Sequence, residues 1–249
     1  MKKLLKILGI SAAVVVGVFA GLFILGCIVG PSEEDSEFYT YAPEAIAEYK
    51  PLFPPWGMPD ESNITDEMYY DTVEEAILHD KTLAQANEEN HVDADMLNHV
   101  SEILHTWEGK DYVTVYYRAE NADNSKQGSV LAKCRKKDFD GNTRYAYVNS
   151  QYVIARPEGK YIIHFEKDIG SHLTLSDAMQ DLNPNYPDTR FVCGYSHNEN
   201  IYTLEVEGQK PDGIIEEDVY GRKIYFWYFD DLKSDKAGNC LSYTVKRAK

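Results

Sequence analysis

The chain has 249 residues, of which 43% are hydrophobic and 12% aromatic, and this composition is ample for a packed core and excludes general disorder. It carries 41 acidic and 25 basic residues. Three of the basic residues, Lys2, Lys3 and Lys6, are the only charged residues before Glu33, so the 22 basic and 41 acidic residues that follow give the rest of the chain a net charge of −19. A surface of that sign repels phosphate backbones, which argues against nucleic-acid binding.

Residues 7–30 form an uncharged, almost wholly apolar stretch. As a helix these 24 residues would span about 36 Å, which is long enough to cross the hydrocarbon core of a bilayer. Because lysines precede the stretch and acidic residues follow it, the positive-inside rule predicts a cytoplasmic tip at residues 1–6 and a C-terminal domain outside the cell membrane. Gly17 and Gly21 have the GxxxG spacing, through which two such helices can self-associate.

A second interpretation of the same stretch rests on Cys27. The residues Ile24-Leu25-Gly26-Cys27 resemble the lipobox of bacterial lipoproteins. The resemblance implies cleavage before Cys27 and attachment of lipid to it, so that the protein would be a lipid-anchored lipoprotein. The overall layout likewise resembles bacterial membrane-anchored or lipoprotein ectodomains. An uncleaved single-pass helix and a lipidated cysteine would both hold the same domain on the same face of the membrane.

An acidic, proline-rich linker is predicted over residues 31–66. It contains six prolines and the acidic run 32–37. Prolines stiffen the chain and interrupt regular structure because they lack a backbone donor. The folded extracytoplasmic domain is predicted over residues 67–249, and a division near residue 157 would give two modules.

Two short helices open the predicted domain. Thr72 and Glu75 have the capping-box spacing, in which the Thr72 hydroxyl accepts from the Glu75 amide, and this predicts a helix over residues 73–79. Asp93 is the predicted cap of a second helix over residues 93–107, since apolar residues recur there on one face.

Asp95 and His99 are the candidate metal ligands on this second helix. They are four residues apart, so one face of the helix would carry a carboxylate and an imidazole that can share a metal ion. The alternative interpretation is an ordinary helix start, in which acidic residues favour the helix dipole and His99 is solvated or paired with Asp95.

Beyond residue 109 the pattern changes to strands rich in β-branched and aromatic residues. Residues 138–142 carry an Asp-Gly turn signal that predicts a hairpin, and one further helix is predicted over residues 173–182. The predicted strands cover residues 112–118, 129–136, 144–154, 160–166, 190–196, 201–207, 223–229 and 241–246. Two helices followed by about eight mostly antiparallel strands predict the α+β class.

The run Tyr-Phe-Trp-Tyr-Phe at residues 225–229 is the most distinctive of these strands. Alternation places Tyr225 and Trp227 on one face and Tyr228 on the other. One interpretation is a central strand that is buried on both faces. The other is a partly open aromatic surface, in which Tyr225, Trp227 and Tyr228 bind a sugar ring or a protein partner.

The sequence contains no assembled catalytic motif and no cofactor-binding motif. His164 and Glu166 lie two apart on a predicted strand and share a face, which is one arrangement for acid–base chemistry. Three cysteines follow the apolar stretch, without a zinc-ligand spacing. Cys193 and Cys240 can pair, or all three can remain buried free thiols.

The sequence therefore predicts a membrane-anchored, extracytoplasmic binding domain, without a cofactor, whose partner is a protein or a cell-wall polymer. Two other classes stay open. One is a structural or assembly protein that self-associates through Gly17 and Gly21. The other is an extracytoplasmic hydrolase or metal-dependent enzyme whose site would be built from His91, Asp95, His99, His164 and Glu166.

Overall fold

The computed structural model describes residues 37–43, 61–80, 97–121, 127–154 and 165–247, without the side chains of residues 152–154 and 166. Residues Phe38–Lys249 form one compact unit. The predicted anchor, with Gly17, Gly21 and Cys27, lies outside the described residues. Among the helices that are described, none combines the length and the apolar composition that crossing a membrane requires.

Antiparallel strands dominate the described part of the chain, which has ten strands in three sheets and two α-helices, an α+β arrangement. The strands are β1 (Phe38–Tyr41), β2 (Val100–Glu108), β3 (Tyr112–Glu120), β4 (Gln127–Phe139), β5 (Asn142–Ile154), β6 (Val192–Ser196), β7 (Glu205–Val206), β8 (Gly213–Val219), β9 (Arg222–Phe229) and β10 (Tyr243–Lys246). The helices are α1 (Val73–Leu78) and α2 (Phe165–Leu175). The strand orders are β1-β10-β7, β2-β3-β4-β5 and β6-β9-β8.

Two elements that local sequence signals predict, the capped helix α1 and the turn between β4 and β5, are present in the structure. The Thr72 hydroxyl accepts a hydrogen bond from the Glu75 amide at 3.1 Å and so caps α1. Asp140 and Gly141 adopt left-handed backbone conformations, with φ of 55° and 90°, in the tight turn between β4 and β5. Both elements are therefore specified by residues within a few positions of one another.

The elements stack in layers. Helix α1 packs on one face of the four-stranded sheet through Ala76 and Ile77. The other face of that sheet packs on the sheet β6-β9-β8. Helix α2 and the sheet β1-β10-β7 cover the far face of β6-β9-β8, where Trp227 is fully buried. Burial of apolar surface at these interfaces is the main force that holds the layers together.

Strand β9 is the middle strand of its sheet, and its aromatic side chains alternate as predicted. Tyr225, Trp227 and Phe229 belong to the core beneath α2, whereas Phe226 and Tyr228 belong to the core against the four-stranded sheet. All five side chains are at most 8% exposed. The interpretation of this run as a central strand buried on both faces is confirmed.

The predicted second helix over residues 93–107 is wrong from Val100 onwards, because Val100–Glu108 is strand β2. This strand pairs with β3, and the register of the pair shifts twice along its length. Each shift interrupts the simple two-residue alternation of side chains. The apolar residues Val100, Ile103 and Leu104 therefore have a spacing that imitates one face of a helix.

Other elements differ from the prediction in their bounds. Strand β1 lies inside the predicted linker, because it pairs with β10. Helix α2 occupies the end of the predicted strand 160–166 and the beginning of the predicted helix 173–182. A 3-10 helix, Glu199–Thr203, replaces the first part of the predicted strand 201–207. The division near residue 157 stays a prediction, since residues 155–164 lie outside the described part.

Candidate functional site

An open cleft of about 420 Å³ lies between the sheet β1-β10-β7 and helix α2. One wall consists of Tyr39 and Tyr41 on β1 and Tyr243 on β10, and the other consists of residues of α2 between Lys167 and Leu175. We call it the tyrosine cleft. Its volume lies within the range of small-molecule binding sites.

The pairing of β1 with β10 brings the three tyrosines together. Tyr39 and Tyr41 are two residues apart on a strand, so their side chains share a face, and Tyr41 lies directly opposite Tyr243. The centroid of the Tyr243 ring lies 5.8 Å from that of Tyr39 and 5.4 Å from that of Tyr41, with interplanar angles of 39° and 33°. The three rings therefore form a continuous aromatic wall.

Tyr243 is the fixed member of this wall. It is buried, and its hydroxyl is hydrogen-bonded to Tyr39 and to the backbone of Gly170. The hydroxyl oxygen lies 3.1 Å from the position that a Cβ on Gly170 would occupy, so the glycine lets the ring approach α2 closely. Burial, and then the neighbouring Tyr39, raise the pKa of Tyr243 well above its ordinary value. The wall is therefore uncharged at this ring.

Polar groups also line the cleft, and the most exposed of its three rings is that of Tyr41, which is 39% exposed. The Ser171 hydroxyl donates to the Lys167 carbonyl at 3.2 Å, and the Thr174 hydroxyl donates to the Gly170 carbonyl at 2.8 Å. Each hydroxyl oxygen thus keeps lone pairs that can accept from a ligand. Lys167 is exposed and is the one charged side chain among the described residues that line the cleft.

The structure places the predicted binding residues Tyr225, Trp227 and Tyr228 in the core, and none of the three lines the tyrosine cleft. Trp227 is fully buried, and the Tyr228 hydroxyl lies 3.3 Å from Nε2 of His105. A direct binding role for these residues stays a prediction, and it would require their rings to be uncovered.

The predicted metal site is only partly within the described residues. Asp95 lies outside them, and His99 is exposed. In the ranges that the structure describes, no three His, Cys, Asp or Glu side chains are grouped as metal ligands. Cys134, Cys193 and Cys240 are buried free thiols, the second of the two cysteine alternatives. Burial raises the pKa of Cys193 to about 12, which keeps this thiol protonated.

A buried polar cluster that no sequence motif indicates lies where β4 and β5 meet the 3-10 helix Ala178–Leu182. Lys133 is 2% exposed and Asp181 is 5% exposed. Burial lowers the pKa of Lys133 to about 8 and raises the pKa of Asp181 to about 6, and in each case the opposite charge of the other residue reduces the change. Asn149 donates to one Asp181 oxygen, whereas the other has no hydrogen-bond partner in the described structure. The one sequence signal is that Lys133 interrupts the apolar run 130–134.

Two features of the described structure are therefore candidate sites: the tyrosine cleft, and the region around the buried, oppositely charged side chains of Lys133 and Asp181. Groups whose pKa values are shifted towards neutrality by burial and by a charged neighbour are concentrated at functional sites, although structural ion pairs share this property. Comparison with known protein families, with curated proteins and with solved structures found no match for the chain.

Proposed function

We propose that the protein is a membrane-anchored, extracytoplasmic binding domain and that the tyrosine cleft holds its ligand, part of a protein or of a cell-wall polymer. The observation that carries the proposal is the wall of Tyr39, Tyr41 and Tyr243, which faces α2 across an open space of about 420 Å³. Tyrosine combines a large rigid ring with a hydroxyl and has few torsions to immobilise, so it suits recognition surfaces.

The proposed anchor is the apolar stretch over residues 7–30. Its length, the lysines before it and the acidic residues after it support a single-pass helix with the domain outside. Lipid attachment at Cys27 is the alternative anchor. Self-association of the helices through Gly17 and Gly21 is a separate proposal, which crosslinking of the full-length chain and of a Gly17→Leu, Gly21→Leu variant would test.

A binding assay with the full-length chain in lipid nanodiscs tests the cleft. We expect Tyr41→Ala to weaken binding to cell-wall material or to surface-protein extract about tenfold, because the exposed ring supplies the contact area. Phe38→Ala is the matched control, since Phe38 is 42% exposed on the same strand but does not line the cleft. Circular dichroism confirms that both variants are folded. Equal binding by the two variants would contradict the proposal.

Two measurements test the anchor. A reporter fused to the C-terminus should be active only outside the cytosol, and cytosolic activity would remove the proposed topology. Mass spectrometry of the mature N-terminus separates the two anchors. A chain that begins at Met1 supports the helix, whereas a lipidated chain that begins at Cys27 supports the lipoprotein.

An extracytoplasmic enzyme is the second candidate. Lys133 and Asp181 favour it, because both side chains are buried and burial shifts the pKa of each towards neutrality. The metal-dependent form of this hypothesis also needs Asp95 and His164, which lie outside the described residues. Hydrolysis of chromogenic ester, amide and glycoside substrates by the full-length chain tests the candidate. If turnover is observed and is unchanged in Asp181→Asn, Asp181 has no part in the reaction.

A further inference from the structure

We propose that the tyrosine cleft takes an acidic saccharide, with one sugar ring stacked on Tyr41 and its anionic group held by Lys167. This inference rests on the proposed binding function and names the ligand class. Charge complementarity carries it, because one positive and no negative side chain lies among the described residues that line the cleft. The rest of the lining is aromatic, aliphatic or hydroxyl-bearing, apart from the amide of Asn239.

Tyr41 supplies the surface for the sugar ring. Its side chain is 39% exposed, and its ring packs against that of Tyr243, which is 4% exposed. One face of a galacturonic acid ring presents C–H groups that pack flat on an aromatic ring, while its hydroxyls lie at the edge of the ring and on the other face. Ser171, Thr174 and the side-chain amide of Asn239 line the same cleft and can exchange hydrogen bonds with those hydroxyls.

Lys167 supplies the positive charge. Its ammonium group forms no ion pair or hydrogen bond with any residue in the described ranges. Other exposed lysines of the domain, such as Lys137 and Lys223, are paired with a carboxylate. Because Lys167 has no carboxylate partner in the described part of the chain, its ammonium group is available to an anionic ligand group, and a carboxylate would form a charge-assisted hydrogen bond with it.

The excess of acidic residues sets the conditions of the experiment. The net charge of −19 beyond the apolar stretch repels an acidic ligand at long range. At about 150 mM salt the Debye length is about 8 Å, so distant carboxylates are screened far more than a direct contact with Lys167. A suitable pair of probes is a hexamer of galacturonic acid and its full methyl ester, because esterification removes the charge and keeps the rings.

Isothermal titration of the full-length chain in nanodiscs of neutral lipid tests the inference. We expect the acid hexamer to bind about tenfold more tightly than the ester, the difference that one charge-assisted hydrogen bond supplies. Lys167→Gln should remove this difference. Lys210→Gln, which changes an exposed lysine outside the cleft, should keep it. Tyr41→Ala should weaken the binding of both hexamers.

Equal affinities for the acid and the ester, or a difference that survives Lys167→Gln, would overturn the acidic-saccharide inference and leave the binding domain intact. If neither hexamer binds but Tyr41→Ala abolishes binding to surface-protein extract, the partner is a protein and the inference is also overturned. If Tyr41→Ala changes no binding of any kind, both the inference and the proposed function of the cleft are wrong.

Discussion

The ammonium nitrogen of Lys133 lies 4.1 Å from the centroid of the Tyr112 ring. A cation above a ring face is attracted by the ring quadrupole, and the carboxylates of Glu61 and Asp181 attract the same ammonium group. Burial nevertheless outweighs these attractions, because the pKa of Lys133 is lowered to about 8. The charged form of Lys133 is therefore destabilising to the fold.

Lys133→Met should reduce the rise in the free energy of unfolding that occurs between about pH 8 and pH 10.5 in wild type. The pKa of Lys133 falls from its ordinary value of 10.5 to about 8 in the folded protein. The favourable contribution of Lys133 to the free energy of unfolding is therefore complete above pH 10.5 and is lost as the pH falls through 8. This contribution amounts to roughly 3 kcal/mol. Urea unfolding at pH 7.5 and 9.5 should show a smaller increase in stability for Lys133→Met than for wild type. The exposed-lysine control Lys210→Met should match wild type, and an unchanged increase in Lys133→Met would contradict the prediction.

Asp181→Asn should reduce the loss of stability that wild type shows between pH 4 and pH 7. Burial raises the pKa of the Asp181 carboxyl from 3.8 to about 6, so its favourable contribution is complete below pH 3.8 and is lost as the pH rises through 6. Between pH 4 and pH 7 wild type should lose up to roughly 3 kcal/mol through this group, and the variant should lose less. Chemical denaturation at the two pH values measures the difference. Asp188→Asn, at an exposed aspartate, should behave as wild type.

Tyr116→Phe should destabilise the domain, because it removes a hydrogen bond to the buried carboxylate of Glu217. The hydroxyls of Tyr116 and Ser129 donate to the same oxygen of Glu217, whose other oxygen has no hydrogen-bond partner in the described structure. Burial raises the pKa of Glu217. Loss of one charge-assisted bond should destabilise the domain by about 1.5–3 kcal/mol at pH 7, and by less at pH 5, where more of Glu217 is protonated.

The control for Tyr116→Phe is Tyr202→Phe, because Tyr202 is 54% exposed and its substitution should change stability by about 0.5 kcal/mol or less. Unfolding free energies at both pH values separate the two variants. A Tyr116→Phe variant as stable as wild type at pH 7 would show that the hydrogen bond does not offset the burial of Glu217.

Trp227→Ala distinguishes a core role from a binding role for the aromatic strand. Trp227 is fully buried in the core beneath α2, so its truncation should lower the free energy of unfolding by about 3–5 kcal/mol. Thermal and urea unfolding measure this loss. If Trp227→Ala kept its stability but lost ligand binding, Trp227 would have a direct role in binding.

Several elements follow from short-range patterns in the sequence. The Thr72 cap, the turn at Asp140 and Gly141 and the alternation of β9 are all predicted from residues a few positions apart, and all three form. Their geometry depends on neighbouring backbone and side-chain groups, so a single sequence contains the information needed to predict them.

The sequence by itself determined the α+β class, the capped helix, the central hairpin and the alternation of the aromatic strand β9, because each depends on local spacing. Only the tertiary structure decided that Val100–Glu108 is a strand, since pairing with β3 outweighs a helix-like spacing. Only the tertiary structure forms the cleft, because Tyr41 and Tyr243 are far apart in the sequence and come together through the pairing of β1 with β10. The burial of Lys133 and Asp181 has the same origin, because it depends on how separate elements pack on the four-stranded sheet.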